Sequence, residues 1–188
     1  MSRALLLQAL LWLAYPLLIL FGLQLLEPRY VALLLGLTLL LRQRRDAGRL
    51  LAGLSRIDRA VLVALLALAG VTALTNSETL LRLYPAAVNL GMLLLFGLSL
   101  NKPPSMVERF ARLREPDLPP AGVRYTRRVT QVWCAFFIAN GGVATYTALQ
   151  TSREIWTLYN GFIAYLLMGA LFAGEWLIRR RVLAGRPA

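Results

Sequence analysis

Histidine is absent from the 188 residues, and lysine and cysteine occur once each, as Lys102 and Cys134. Without imidazole the chain lacks the commonest general base, the usual nitrogen ligand for metals and the side chain that changes charge near neutral pH. A single thiol forms neither an intrachain disulfide nor a cysteine-rich zinc or iron–sulfur site, and inside an apolar run it reads as packing. Charge is scarce too: 16% of residues are charged against 58% hydrophobic, and mean hydropathy is +0.60. An ordinary soluble domain carries about 25% charged residues. The composition therefore excludes a water-facing globule with one core and points to the bilayer as solvent.

What is present is a set of six uncharged runs: 4–26, 30–41, 60–77, 83–101, 129–152 and 155–174. A spanning helix needs about 20 apolar residues, so the 12-residue second run is the short one. Pro28 can open a helix there, and Arg42, Arg44 and Arg45 can extend toward headgroups while their stems stay in hydrocarbon. The expected fold is all-α: a polytopic transmembrane helical bundle of about six spans, or five if the second run lies in the interface, with short amphipathic interfacial helices. The six spans are placed at about 4–26, 28–43, 60–77, 83–101, 129–152 and 155–176 of a single integral membrane domain covering 1–188, with cytoplasmic loops at 42–59 and 102–128. Arg3 followed by a leucine-rich run resembles a secretory signal, but its 23 residues and the apolar segment that follows favour a retained signal-anchor.

Charge placement orients these spans. With six crossings, 18 of the 21 basic residues fall on the side of the termini and the two longer loops. The three short turns opposite hold only Arg29, Arg82 and Arg153, each with one glutamate: Glu27, Glu78 and Glu154. This is a positive-inside pattern with both termini cytoplasmic, and it places the net charge of +12 against the anionic leaflet. Nucleic acid is not an expected partner, because the basic residues flank apolar runs and do not form a soluble face.

Both loops carry amphipathic spacing. Leu50, Leu51, Leu54 and Ile57 form one apolar set, and Met106, Val107, Phe110 and Leu113 form the other. The second has a start signal, because Pro103 and Pro104 precede Ser105, which makes an S-x-x-E capping box with Glu108. From Glu115 to Gly122 the proline-rich stretch reads as a loop. Short basic amphipathic helices beside spans rest on headgroups or serve as docking surfaces. The candidate lipid or partner surface is thus Arg42, Arg44, Arg45, Arg49, Arg109, Arg112 and Arg114.

No Asp, Glu, Lys or Arg lies within any run, which disfavours proton-coupled transporters and ion pumps. The polar groups left inside are amides and hydroxyls, which more often join helices than bind substrates. Asn89, Asn140 and Asn160 are the candidate intramembrane polar site, with Asn140 set apart by mid-run depth and by Gly141 and Gly142 after it. Glu175 is expected to pair with Arg179 at i+4. Most of Trp12, Tyr84, Trp133, Trp156, Tyr159 and Trp176 fall toward run ends, where rings anchor in headgroups. No catalytic residue, cofactor or metal site is expected.

The stretch Trp133-Cys134-Ala135-Phe136-Phe137, with Tyr146 and Trp156 beyond it, resembles the C-terminal signature of the septation protein A family of small bacterial inner-membrane proteins. Thr75 to Thr79, the fourth run and Lys102-Pro103 sit where that family has similar features. The text from Lys102 to Arg181 is similar to a branch of small membrane proteins whose genes accompany fatty-acid-synthase-like and aryl-polyene clusters. The resemblance implies an envelope role near lipid or polyene synthesis, or near septum and cell-wall machinery, with acyl-carrier, synthase or septal proteins as partners. It implies no catalytic residue. The resulting expectation is a non-catalytic inner-membrane scaffold or accessory protein. A carrier or flippase for a lipid or acyl product is the alternative, and an integral-membrane acyl-handling enzyme is a more distant third.

Overall fold

The computed structural model describes residues 27–35, 37 and 56–184, and every element among them is helical. A helical stretch at 28–35 is followed by α1 (Arg56–Thr75), α2 (Glu78–Asn101), α3 (Met106–Arg112), α4 (Pro120–Gln150) and α5 (Arg153–Leu158). A π-helical turn (Tyr159–Ile163) then joins α5 to α6 (Ala164–Ala184). Among the described residues, three helical spans are long and apolar enough to cross a membrane: α2, α4 and the continuous stretch Arg153–Arg180. The apolar part of α1, Arg59–Thr75, is shorter. The first run, 4–26, lies outside the described residues, as do Arg42, Arg44, Arg45, Arg49 and most of the first amphipathic loop.

Local chemistry sets the boundaries. Asn76 ends α1 in the left-handed region at φ 49°, which an asparagine tolerates at a helix C-terminus, and its Oδ1 accepts from Arg29 N–H at 3.0 Å. Ser77 then caps α2, accepting from Leu80 N–H at 3.3 Å, with Glu78 in the first turn where the helix dipole favours an anion. The loop expected through Gly122 is shorter than that, because α4 begins at Pro120. Proline belongs at this first helical position, where its missing N–H removes no helical bond. α4 therefore carries Arg124, Arg127 and Arg128 within its opening turns.

α2 and α4 form the central pair and run antiparallel, as the contacts Arg82 to Thr147, Asn89 to Asn140 and Phe96 to Trp133 show. They approach closely where Gly141 faces Asn89: a Cβ added there would lie 3.0 Å from Asn89 Cβ. On its other side α2 meets α1, and Gly91 admits Val61, whose Cγ1 would be 2.7 Å from an added Cβ. Two apolar clusters result, one toward each end of the pair. The first joins Val31, Ala32 and Leu35 with Ala69, Leu81, Tyr84, Ala148 and Trp156. The second is built on Phe96, Trp133 and Phe137.

These clusters correct the reading of three aromatics as headgroup anchors. Tyr84, Trp133 and Trp156 are all buried, because their large rings fill the space between helices toward the two ends of the pair, away from the close contact at Gly141. Trp176 stays half-exposed toward the end of α6, with the Arg180 guanidinium 3.8 Å from its ring centre, and Trp12 lies outside the described residues.

Candidate functional site

Between the two apolar clusters lies a polar layer. Tyr159 O–H donates to Asn140 Oδ1 at 2.9 Å, Asn140 Nδ2 to Asn89 Oδ1 at 3.1 Å, and Asn89 Nδ2 to the Pro85 carbonyl at 2.8 Å. Asn160 lies apart from that chain, donating to Thr147 Oγ1 at 3.1 Å and to the Trp156 carbonyl at 3.0 Å. The structure thus brings Asn89 and Asn140 together and leaves Asn160 to a different partner on α4. All three amides are buried. Tyr159 and Asn160 are neighbours in sequence yet both address α4, from the start of the π turn, whose extra residue alters the angular spacing of an ordinary helix. Buried polar groups carry a large penalty unless paired, and here each amide is engaged with another side chain or with backbone.

The sequence alone marks Asn89, Asn140 and Asn160 for this layer, but it reads Tyr159 as a headgroup anchor and passes over Thr147. Their signal was present as polar side chains in apolar runs. Choosing partners among them needs the register of α2, α4 and the π turn, which periodicity does not supply.

At the end formed by the short turns, charge is tied across elements. Arg153 makes a bidentate ion pair with Glu78, Nε to Oε1 at 3.0 Å, while Arg29 pairs with Glu27 at 2.9 Å. Arg82 Nη2 donates to the carbonyls of Thr147 (2.8 Å) and Thr151, closing the C-terminus of α4, and the Arg82 carbonyl accepts from Trp156 Nε1 at 2.9 Å. Arginine near a helix C-terminus satisfies carbonyls that have no partner within the helix.

The opposite end is basic. The Glu108 half of the α3 capping box forms, with Glu108 Oε2 accepting from Ser105 N–H at 3.3 Å, while Ser105 Oγ is buried without a partner among the described residues. Two further N–H groups of its first turn are taken by other helices: Met106 N–H donates to Ser99 Oγ at 2.8 Å and Val107 N–H to Thr130 Oγ1 at 3.3 Å. α3 is therefore fastened to both α2 and α4. Its expected single apolar face is divided, because Met106 and Val107 pack on the second cluster while Phe110 and Leu113 point away. Only the anchored first turn of this short helix reaches the bundle.

The candidate arginines here do unequal things. Arg112 pairs with buried Glu108 at 2.9 Å and donates from Nη1 to the Pro116 carbonyl at 2.7 Å, so its charge is neutralised within the fold. Arg109 donates to the Pro104 carbonyl at 3.1 Å, and Arg114 is exposed with no ion pair among the described residues. Glu175 pairs with Arg179 at 3.4 Å and also accepts from Tyr125 O–H at 3.2 Å, which ties α6 to the start of α4.

The residues that carry the family resemblance divide by burial. Trp133 and Phe137 lie in the second cluster, with Phe136 packed on it. Trp156 belongs to the first cluster and Tyr146 is exposed. Cys134 is half-buried against the second cluster. No protein family, curated protein or solved structure compared with the chain matches it.

Proposed function

We propose that this chain is a multi-pass protein of the bacterial inner membrane that has no catalysis of its own. It serves as a scaffold or accessory protein for envelope lipid or polyene synthesis, or for septum and cell-wall machinery. The observation that carries this reading is where polar chemistry is already committed and where it is left open. Inside the bundle Asn89, Asn140, Asn160 and Tyr159 hold one another or the backbone. At the basic end exposed Phe110 and Leu113 stand beside Arg114, which is exposed and has no ion pair among the described residues. Such an arrangement offers a surface to a partner more readily than a reactive interior to a substrate.

Support for six crossings with cytoplasmic termini comes from the 18 of 21 basic residues that this topology puts on one side. Support for an envelope role comes from the septation-like aromatic pattern of Trp133, Phe136, Phe137, Tyr146 and Trp156. The test is in-cell crosslinking of the tagged full chain, followed by purification in mild detergent and mass spectrometry of proteins and lipids. Crosslinks to acyl-carrier, synthase or septal proteins are expected. A preparation holding one stoichiometric lipid or polyene and no such protein argues for the carrier instead.

The polar layer is the specific observation that favours that second reading, and Asn140→Leu separates the two. Leucine removes the donor to Asn89 and the acceptor for Tyr159 together, with an expected stability loss of about 1–3 kcal/mol from the groups left unpaired. A scaffold keeps its crosslinks in the folded fraction of this variant. A carrier loses its bound product or its transport while the fold persists.

A further inference from the structure

The basic end of the bundle contains two kinds of cation, and they separate by geometry. Arg112 is neutralised by Glu108, Arg179 pairs with Glu175, and Arg127 Nη1 is held by the Leu100 carbonyl at 2.7 Å. Lys102, Arg114, Arg124 and Arg128 are exposed and carry no ion pair among the described residues. Lys102, Arg124 and Arg128 lie near one level along the bundle axis, and Arg114 follows Leu113 at the end of α3. Arg127 reaches the C-terminus of α2 beside Lys102, and Tyr125 reaches Glu175 near the end of α6, so Arg124 and Arg128 share that level with the half-exposed Trp176.

At the same end α3 and its C-cap residue present Phe110 at 58% and Leu113 at 81% exposure. These two apolar side chains stand on a helix that cannot easily swing away, because its first turn is bonded to Ser99 and Thr130. Exposed apolar groups beside unneutralised arginines match a bilayer surface, where acyl boundary and phosphate lie within a few ångströms of each other. Charge settles which surface: at this end Lys102, Arg109, Arg114, Arg124, Arg127, Arg128 and Arg180 have no ion pair among the described residues and outnumber the exposed, unpaired Glu115 and Asp117, which favours a leaflet rich in anionic headgroups over a zwitterionic one.

We infer that α3 is a fixed wedge seated in the anionic leaflet through Phe110 and Leu113, with Arg114, Arg124, Arg128 and Lys102 binding phospholipid headgroups around it. Arg112 takes no part in headgroup binding. This rests on the membrane reading above and adds which residues select the lipid and which only build the surface.

The test uses the full chain with Cys134→Ser and Leu113→Cys, labelled at residue 113 with a fluorophore. It is reconstituted in nanodiscs of phosphatidylcholine containing either brominated phosphatidylcholine or brominated phosphatidylglycerol. Quenching of the label by both lipids is expected, with phosphatidylglycerol preferred. Arg114→Gln and the Arg124→Gln, Arg128→Gln pair should each reduce that preference, by about fivefold per arginine. The charge-neutral double change Glu108→Gln, Arg112→Gln should leave it unaltered. Equal quenching by the two lipids overturns the selectivity, and a label quenched by neither overturns the wedge, including the case in which a bound protein shields it. Quenching of the native tryptophans reports insertion alone. Its survival in those negative cases confines the failure to this inference, whereas its loss strikes the membrane reading itself.

Discussion

Trp133→Ala is expected to lower the stability of the bundle by about 3–5 kcal/mol, the range for removing a buried large aromatic. Trp133 is 7% exposed and touches four other rings: Phe137 at 5.7 Å between centroids, Phe136 at 5.7 Å, Phe96 at 6.4 Å and Phe172 at 4.6 Å. Those rings come from α2, α4 and α6, so the indole is the point at which three helices meet. Truncation leaves a cavity that α4 alone cannot close, because Phe136 and Phe137 sit on its own backbone and cannot move independently of it. Tyr146 belongs to the same family-like pattern but is 62% exposed. Tyr146→Ala should change stability by no more than about 0.5 kcal/mol. Equilibrium unfolding of both variants in the same detergent decides the matter. Equal losses would show that the aromatic pattern acts at the surface and not as the core of this end.

That contrast shows how far the sequence carries. Apolar runs free of Asp, Glu, Lys and Arg announced the helices, because charge in hydrocarbon is costly wherever it is not paired. The turn at Asn76 and Ser77 and the capping box at Ser105 and Glu108 are local patterns, and local patterns appear in the linear text. Trp133 and Tyr146 look alike in that text. Only the rotation of α4 against α2 and α6 buries one and exposes the other. Glu78 illustrates the same limit, because the sequence sets it beside Arg82 while the structure joins it to Arg153, 75 residues away. Arg112, grouped with Arg109 and Arg114 by spacing alone, is withdrawn from the surface by Glu108, whose burial no periodicity announces.

Arg82 was legible only as one of three turn arginines, and its replacements should show that it does something different from the other two. Its Nη2 alone makes both contacts to the Thr147 and Thr151 carbonyls, while its Nε is buried and has no partner among the described residues. Hydrogen bonds from charged donors contribute about 1.5–3 kcal/mol each, and the Thr147 carbonyl keeps a second donor, Thr151 Oγ1 at 2.8 Å, so it is not stranded when Arg82 is replaced. Arg82→Met keeps the length of the stem and removes both bonds, so a loss of about 3 kcal/mol is expected. Arg82→Lys should recover most of it, to within about 1 kcal/mol of the parent chain, because one ammonium supplies two donors and brings no unsatisfied Nε. This is the reverse of an arginine that grips a carboxylate through two nitrogens, as Arg153 grips Glu78. There the planar fork is what lysine lacks. Unfolding midpoints for Arg82→Lys and Arg82→Met, measured beside Arg153→Lys, separate the two arrangements. If lysine at 82 is as damaging as methionine, the carbonyls of Thr147 and Thr151 are not what Arg82 holds.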